Sequence, residues 1–425
     1  MLKKFTLDNG IRVVCEKIPY LRSISIGLWV GAGSVNENSM NNGISHFIEH
    51  MLFKGTQKRT AKDIASCIDN IGGQLNAFTG KEYTCYYTKT LDSHIEIALD
   101  LLWDMYFNSL FNDNDITLEK QVIMEEINMY EDTPEELVHD LLSQIVWDGD
   151  PLGYPILGSY NSLMKMDREI VHDYLHDNYN APNTVIAVAG NFEENKLFDL
   201  ISKYFRDWKS EPQKTPSNKQ VKFISDFKLK KKDTEQVHMC IGFEGVEHGN
   251  DDIYPLLVIN NIFGGSMSSR LFQRIREEKG LVYSIYSYPS SYKNTGLFTI
   301  YAGMNPEQLE LVVKLIIEEV VKLITKGVDE SELSKSKEQL KGNYMLGLES
   351  TNSRMNSIGK SELLLEYILT PEEILEKINQ VNMDSVNKVI KNVFNIDKVS
   401  LAAVGGFKKD IDLKSLVSQE NSFRS

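Results

Sequence analysis

Residues 46–50 read His-Phe-Ile-Glu-His, which is the spacing H-x-x-E-H. On a helix, positions i, i+3 and i+4 share one face, so both histidines and Glu49 would point in one direction. Two imidazoles four residues apart can hold one zinc ion, and the glutamate can then act as general base toward the zinc-bound water. The segment therefore predicts part of a zinc hydrolase site with His46 and His50 as ligands. The alternative is a chance match on a solvated helix face.

The helix that would carry these residues also has an apolar side. Apolar residues recur at helical spacing on the side roughly opposite the two histidines. They are Ile44, Phe47, Ile48, Met51 and Leu52. The helix can therefore bury one side in a core, turn its ionisable side toward a cleft, and end near Gly55.

A third, acidic ligand is predicted on a second helix further along the chain. Glu119 and Glu126 are seven residues apart, which places them about 20° from each other around a helix axis. Val122 and Tyr130 bracket Glu126 on that side. A carboxylate in an apolar stripe is unfavourable unless it is paired or binds a metal, so Glu126 is the predicted ligand. The alternative, an ordinary helix pair with a lysine, stays open for both acids.

Composition and charge limit the class of protein. The chain has 425 residues, with 46 Lys+Arg against 60 Asp+Glu and a net charge of −14, so nucleic acid and anionic membrane surfaces are not the expected partners. Four cysteines share no motif spacing, which predicts free thiols in the cytoplasm and no cysteine metal site. No stretch approaches the roughly 18 apolar residues of a membrane span, and the N-terminus is typical of a strand, not a signal peptide.

An internal repeat divides the chain into two similar halves. Residues 183–192 and 398–407 both show an apolar strand followed by glycine and phenylalanine. Between them, residues 206–220 are polar, contain two prolines and lack apolar periodicity. We therefore predict a lobe over 1–205, a linker over 206–220 and a second lobe over 221–425. The alternative is that similar strand patterns recur by chance.

The predicted fold class is α+β. Two strand candidates, 74–79 and 83–91, are separated by only three residues, which favours an antiparallel hairpin over a doubly wound sheet. Each lobe should thus hold a mixed, mainly antiparallel sheet packed with long helices. The strand candidates of the first lobe are 11–16, 23–29, 74–79, 83–91 and 184–189.

At these residues the sequence resembles the pitrilysin/insulinase family of zinc peptidases, and within it the half-length bacterial branch similar to mitochondrial processing peptidase. The resembling stretches lie in both halves: 43–56, 72–79, 119–136, 151–158 and 269–283. The resemblance implies two homologous lobes in a clamshell arrangement. It also implies a zinc-dependent endopeptidase that cuts peptides or unfolded segments inside a chamber.

The resemblance further implies roles for the residues of the first motif and the acidic helix. His46, His50 and Glu126 would bind one zinc ion per chain. Glu49 would activate the water, and Glu119 would support the site from the family's second acidic position. These roles match the chemistry that the spacing itself predicts, since a buried site with zinc lowers the pKa of water toward neutral.

Four residues outside this set are implied to contact the substrate. Asn76 and Ala77 would lie on an edge strand that pairs with the substrate backbone. Arg276 and Tyr283 would reach across from the second lobe and supply donors to the developing oxyanion. Judged without the resemblance, Arg276 is more typical of an exposed partner of a neighbouring glutamate, and Tyr283 of a core strand residue.

The second half lacks a metal motif of its own. The segment aligned with the H-x-x-E-H helix, residues 253–263, contains neither histidine nor glutamate. The family's chamber requires four lobes and this chain supplies two, so the resemblance implies a homodimer acting on peptides. Two other functions stay open: a non-catalytic subunit that binds or presents peptides in a heterodimer, and a zinc hydrolase of non-peptide substrates. His172 and His176 have no acidic partner in a matching stretch and are interpreted as an ordinary pair.

Overall fold

The computed structural model describes residues 2–208, 221–407 and 411–419. The chain divides into two compact units. Unit 1 comprises Met1–Asn128, Tyr154–Ser217 and Leu346–Ile368, and unit 2 comprises Met129–Gly153, Asn218–Met345 and Leu369–Ser425. Most of the predicted linker over 206–220 lies outside the described residues, so the lobe limits 205 and 221 stay predictions.

The described residues form eleven strands and fifteen α-helices. The strands are β1 (Leu2–Thr6), β2 (Arg12–Lys17), β3 (Ser23–Val30), β4 (Gln74–Thr79), β5 (Thr84–Leu91), β6 (Thr184–Gly190), β7 (Phe227–Lys231), β8 (Val237–Glu244), β9 (Val282–Tyr292), β10 (Thr295–Met304) and β11 (Ser400–Gly405). The helices are α1 (Ile44–Met51), α2 (Ala61–Asp69), α3 (Ile95–Asn108), α4 (Asp113–Glu131), α5 (Pro134–Val146), α6 (Tyr160–Lys165), α7 (Arg168–Asn178), α8 (Glu194–Phe205), α9 (Ile253–Phe263), α10 (Leu309–Lys326), α11 (Glu330–Gly347), α12 (Thr351–Leu365), α13 (Pro371–Gln380), α14 (Met383–Val393) and α15 (Leu413–Gln419). The five strands predicted for the first half are all present, each within one residue at either end.

The sheet of unit 1 has the order β1-β2-β6-β3-β5-β4. Only β2 and β6 run parallel among its paired strands, and the predicted β4–β5 hairpin is antiparallel. Strand β4 is therefore an edge strand, with Asn76 opposite Tyr87 and Ala77 opposite Tyr86 on its paired side. An edge strand keeps one row of backbone N–H and C=O groups free for another partner.

Helices cover both faces of this sheet. One face packs against the helices that include α1, α3 and α8, and forms the main core of the unit. The other face packs against α12, where Trp29 donates a hydrogen bond from Nε1 to Sδ of Met355 at 3.3 Å. Gly359 permits this close approach, because a Cβ there would lie 2.4 Å from the Trp29 Nε1 atom. The central strand β3 is buried on both sides as a result.

The sheet of unit 2 repeats this topology. Its order, β7-β11-β8-β10-β9, matches β2-β6-β3-β5-β4 strand for strand, and β7 and β11 form the corresponding parallel pair. The repeated sequence segments become β6 and β11. The predicted α+β class with two homologous lobes is confirmed, since both units hold a mixed sheet packed with helices.

Each unit contains a helix from the other half of the sequence. In unit 1 this is α12, which contacts β2, β3 and β6. In unit 2 it is α5, which contacts β8 and β11. Each of these helices shields one face of its sheet, so neither sheet is covered by the residues of a single half alone. Among the described residues no helix has the length and apolar character needed to cross a membrane, and all four cysteines are free.

Candidate metal centre

The helix that carries the H-x-x-E-H motif is fixed at its start by a buried carboxylate. Glu37 accepts hydrogen bonds from the backbone N–H groups of Gly43 and Ser45, at 2.7 and 2.9 Å, and from the side-chain amide of Asn42 at 2.8 Å. A carboxylate at a helix N-terminus accepts hydrogen bonds from the free N–H groups there, and its negative charge interacts favourably with the helix dipole. Gly43 has φ +93°, and a Cβ there would lie 2.7 Å from the carbonyl oxygen of Leu157. Only glycine fits this start of α1.

The predicted burial of α1 is confirmed on its apolar side. The five residues of the predicted stripe, Ile44, Phe47, Ile48, Met51 and Leu52, are at most 1% exposed. The opposite side carries His46, Glu49 and His50. The helix ends at Met51, a few residues before the predicted end near Gly55.

The structure brings His46, His50 and Glu126 together. One ligand atom from each residue lies within 4.8 Å of the others. The Oε2 atom of Glu126 is 3.8 Å from Nε2 of His46 and 3.6 Å from Nε2 of His50. Ligands bound to one tetrahedral zinc at 2.0–2.1 Å would be about 3.4 Å apart. The three side chains therefore have nearly the spacing that a shared zinc ion requires.

The protonation of His46 also suits a metal ligand. Its side chain is largely buried, and burial, together with the nearby His50, lowers the pKa of His46 to about 3. A neutral imidazole keeps a lone pair that can bind a metal, whereas an imidazolium cannot. Two imidazoles and one carboxylate form the donor set typical of hydrolytic zinc sites. These residues therefore fit zinc.

Glu119 contacts the site through His50. Its Oε1 atom is 2.8 Å from Nδ1 of His50, and its Oε2 atom forms an ion pair with Nζ of Lys54. Burial alone would raise the pKa of Glu119, but the hydrogen bonds with His50 and Lys54 outweigh it and the pKa is lowered. Burial alone would lower the pKa of His50, but the hydrogen bond and the charge of Glu119 outweigh it, so the pKa of His50 is raised.

The predicted apolar stripe around the two acids is wrong in part. Glu119 is buried and packs near the buried Ile123, but the side chain of Glu126 is 41% exposed and Val122 is 50% exposed. Helix α4 turns Val122 toward solvent, because the helix packs on the unit with the side that carries Ile123. Glu126 therefore lies at the solvent boundary of the site, where a substrate can approach.

Glu49 faces the edge strand. Thr79, the last residue of β4, donates a hydrogen bond from Oγ1 to Oε2 of Glu49. Burial raises the pKa of Glu49 above its ordinary value, and the Thr79 hydrogen bond opposes this shift. A carboxylate with a raised pKa is better matched to proton transfer near neutral pH.

Asn76 and Ala77 lie on the same strand as Thr79. Asn76 is exposed and Ala77 is partly buried, and both belong to the sheet edge. Beside this strand lies an open groove of about 640 Å³, lined mainly by apolar residues of α2 and the start of β4. The structure thus brings five predicted residues into one site and places the predicted strand next to it.

The remaining two predicted residues belong to unit 2. Arg276 lies in a short π-helical segment, Phe272–Glu277, and donates a hydrogen bond from Nε to the backbone oxygen of Tyr283 at 3.0 Å. Its guanidinium also forms an ion pair with Glu277 at 3.3 Å. This contact agrees with the alternative in which Arg276 pairs with a neighbouring glutamate. Tyr283 is 66% exposed, so the alternative of a core strand residue is wrong.

Sequence reasoning missed Lys54 and Thr79 at this site. Lys54 follows the end of α1, so helical periodicity gives no signal for it. Thr79 lies at the end of a predicted strand, and a strand pattern alone does not show which helix it meets. Both residues fall inside stretches that carry the resemblance, which is the signal that would have drawn attention to them.

An α+β lobe with an H-x-x-E-H helix beside a carboxylate-bearing helix is typical of inverted-motif zinc hydrolases. Sequence comparison is consistent with this class. Residues 12–160 match the insulinase family (peptidase family M16), and residues 165–340 match the inactive domain of the same peptidase family.

Curated relatives agree with this assignment, and a solved structure shows the same fold. The chain is 48% identical to the uncharacterised zinc protease YmxG of Bacillus subtilis, over 93% of this chain and 97% of the relative. It is 37% identical to an uncharacterised zinc protease of Streptomyces coelicolor, over 96% and 90% of the two chains. A protease structure from Helicobacter pylori has the same fold, with a TM-score of 0.89 at 20% identity, over 95% and 99% of the chains. The chain therefore belongs to the insulinase family of peptidases.

Proposed function

We propose that this chain is a zinc-dependent endopeptidase that hydrolyses peptides or unfolded segments bound as an added strand along β4. The observation that carries the proposal is the convergence of His46, His50 and Glu126 within 4.8 Å, beside Glu49. The relatives named zinc proteases support the choice of metal and of reaction class.

His46, His50 and Glu126 would hold one zinc ion per chain. When bound there, zinc would polarise a peptide carbonyl and lower the pKa of water. The protein contributes the ligand geometry: Glu37 fixes the start of α1, and Glu119 orients the His50 ring through Nδ1. Such supporting contacts are a general requirement for metal affinity.

Glu49 would act as the general base and then as the general acid. Its partly desolvated carboxylate would take a proton from the attacking water and pass it to the leaving amine of the peptide. Thr79 holds Oε2 of Glu49, which leaves Oε1 for this transfer. The hydrogen bond also restricts the side chain to one rotamer, so that the carboxylate is positioned before substrate binds.

Strand β4 would bind the substrate backbone. Main-chain hydrogen bonds along an edge strand recognise an extended peptide with little dependence on its side chains. Asn76 and Ala77 lie on this strand, between its first residue and Thr79. We therefore assign them to substrate binding.

The resemblance assigns Arg276 and Tyr283 to the substrate as well, and we keep that assignment as a proposal. A guanidinium and a phenol are both donors suited to a developing oxyanion. Arg276→Lys and Tyr283→Phe are expected to lower kcat while zinc content stays unchanged. Wild-type kcat in both variants would remove them from the catalytic set.

A second function is favoured by one observation: residues 165–340 match an inactive peptidase domain. The chain would then be a non-catalytic subunit that binds or presents peptides to another chain. The donor set in unit 1 argues against this function, because a scaffold needs neither three side chains suited to a metal nor the half-buried Glu49 beside them.

We also propose a homodimer in the cytoplasm, with one zinc ion per chain. Two copies would supply the four lobes that the family's closed chamber requires. Four free cysteines and the absence of a cysteine pair among the described residues are consistent with a reducing compartment. Sedimentation analysis and cell fractionation test these two points.

The decisive experiment compares wild type with Glu49→Gln for zinc content and for cleavage of a quenched peptide library. We expect one zinc per chain in both proteins and cleavage by wild type alone. Wild type that binds zinc and cuts no peptide would favour the non-catalytic subunit. Release of a small-molecule product without peptide cleavage would favour a hydrolase of other substrates.

A further inference from the structure

We propose that Lys54 is a positioning residue of the metal centre, acting on His50 through Glu119. The proposal rests on the proposed zinc site and adds to it Lys54, a residue outside the ligand set and the catalytic residues. Lys54 would keep the Glu119 carboxylate in the orientation in which it holds the His50 ring. The Nε2 atom of His50 would then stay directed toward the ligand position shared with Glu126.

The contacts form a continuous chain. One oxygen of Glu119, Oε1, lies 2.8 Å from Nδ1 of His50, and the other oxygen, Oε2, pairs with Nζ of Lys54. On the other side of the ring, Nε2 of His50 is 3.6 Å from Glu126. Each carboxylate oxygen of Glu119 therefore has a different partner, and removal of either partner frees one end of the carboxylate.

Burial makes the lysine necessary. The Glu119 side chain is 3% exposed, whereas that of Lys54 is 35% exposed. A buried carboxylate without a cation is strongly unfavourable, and an ion pair that loses one partner leaves an uncompensated charge. Lys54 is the only lysine or arginine that pairs with Glu119 among the described residues. Its ammonium group can stay hydrated while its charge stabilises the buried acid.

The backbone holds Lys54 and His50 in one rigid turn. The amide of Lys54 donates to the carbonyl of Met51 at 3.1 Å, and the amide of Phe53 donates to the carbonyl of His50 at 3.1 Å. The lysine therefore approaches Glu119 from a fixed position next to the ligand, directly after α1 ends. A mobile surface lysine would not give the carboxylate a defined orientation.

The other histidine has no equivalent support. The Nδ1 atom of His46 is buried and has no hydrogen-bond partner in the structure. Orientation of the ligand rings by polar contacts thus runs through His50 and Glu119. This asymmetry predicts that the centre is unusually sensitive to Lys54, since no second contact can replace the lost one.

The test measures zinc affinity of the full chain by competition with a chelator. We expect Lys54→Met to weaken zinc binding by about 10-fold, within the range for residues that orient metal ligands, and Lys54→Arg to restore most of the loss. Lys62→Met is the matched control, because Lys62 is an exposed lysine of α2 and should leave affinity unchanged. Wild-type zinc affinity in Lys54→Met would overturn the proposal.

A double-mutant comparison separates positioning from general stabilisation. If Lys54 acts through Glu119, Lys54→Met should have no further effect on zinc affinity once Glu119→Gln is present. Additive losses would contradict the proposal. The double variant also removes both charges together, so it remains informative if Lys54→Met alone does not fold. Absorption of the cobalt-substituted proteins provides a second readout, with a changed ligand-field spectrum expected for Lys54→Met and an unchanged one for Lys62→Met.

Failure of this proposal can be told from failure of the proposed function. Wild type that binds no zinc would overturn both. Wild type that binds zinc and cleaves peptides, with Lys54→Met indistinguishable from it in affinity and spectrum, would overturn only the role of Lys54.

Discussion

Thr79 donates a hydrogen bond to the carboxylate of Glu49, which connects the half-buried end of strand β4 to the helix that carries His46 and His50. Loss of this contact in Thr79→Val should let the Glu49 side chain move between rotamers. Hydrogen bonds to charged groups contribute about 1.5–3 kcal/mol, so we expect kcat/KM to fall at least roughly tenfold. Peptide cleavage under single-turnover conditions measures this change.

Thr79→Ser is the control for this prediction, because it keeps the hydroxyl and removes only a methyl group. Cleavage by Thr79→Ser should stay near wild type, and zinc content should be the same in all three proteins. Equal rates for the valine and serine variants would show that the hydrogen bond has no catalytic effect.

Glu126 and its neighbour Glu125 should differ sharply in metal binding. The Glu126 carboxylate lies 3.6 and 3.8 Å from the two histidine nitrogens, whereas Glu125 is an exposed residue outside this cluster. Glu126→Gln removes one of three ligands and should abolish stable zinc binding, as judged by metal analysis after dialysis. Glu125→Gln makes the same chemical change one residue away and should retain zinc. Zinc retention by both variants would require a different third ligand.

Gly359 should not tolerate a side chain. A Cβ at this position of α12 would lie 2.4 Å from the indole nitrogen of the buried Trp29. Overpacking of this kind destabilises by about 1–3 kcal/mol, so Gly359→Ala should lower the unfolding temperature. Gly342→Ala is the matched control in helix α11, where a Cβ meets no atom within 4 Å. That change should raise helix stability by roughly 0.5–1 kcal/mol, and a loss comparable to that of Gly359→Ala would contradict the packing argument.

His139 should make the stability of unit 2 depend on pH. Burial of this α5 side chain, together with the charge of His238, lowers the pKa of His139 to about 4 from the ordinary 6.5. Between these two pH values the unfolded chain binds a proton that the folded chain does not bind. The free energy of unfolding therefore falls as the pH drops through this interval, by about 2 kcal/mol for this one residue.

The measurement compares denaturant unfolding of wild type and His139→Gln at pH 7 and pH 4.5. Glutamine keeps a polar group near the Tyr288 hydroxyl, which lies 2.7 Å from Nδ1 of His139, but cannot be protonated. Other titrating groups are common to both proteins and cancel in the comparison. The variant should lose less stability on acidification than wild type. Equal losses would show that protonation of His139 does not destabilise the folded state.

Local periodicity was enough to predict the helix that carries the H-x-x-E-H motif. The apolar stripe around Phe47 and the spacing of His46 and His50 both depend on 3.6 residues per turn, and the structure agrees with each. The assignment of Glu126 required more than periodicity, because the local sequence does not predict that helix α4 meets α1. Its assignment depended on the seven-residue spacing from Glu119 and on the resemblance.

Tertiary packing explains what the sequence did not predict. Val122 shares helical spacing with Glu126, yet it is exposed, since only packing decides how a helix is rotated toward its core. The ion pair between Lys54 and Glu119 forms in a turn, where no periodic pattern applies. The position of α12 on the sheet of unit 1 was also unforeseen, because its sequence is polar on most sides and gives no sign of its partner.

The placement of α12 sets a condition on biosynthesis. Residues 351–365 cover one face of the sheet that supports α1, yet they are translated only after the helices α1 to α11. A nascent chain that has already emerged with His46, His50 and Glu126 still leaves Trp29 and its neighbours uncovered. The sheet of unit 1 therefore gains its cover on this face only after strands β1 to β10 have been translated.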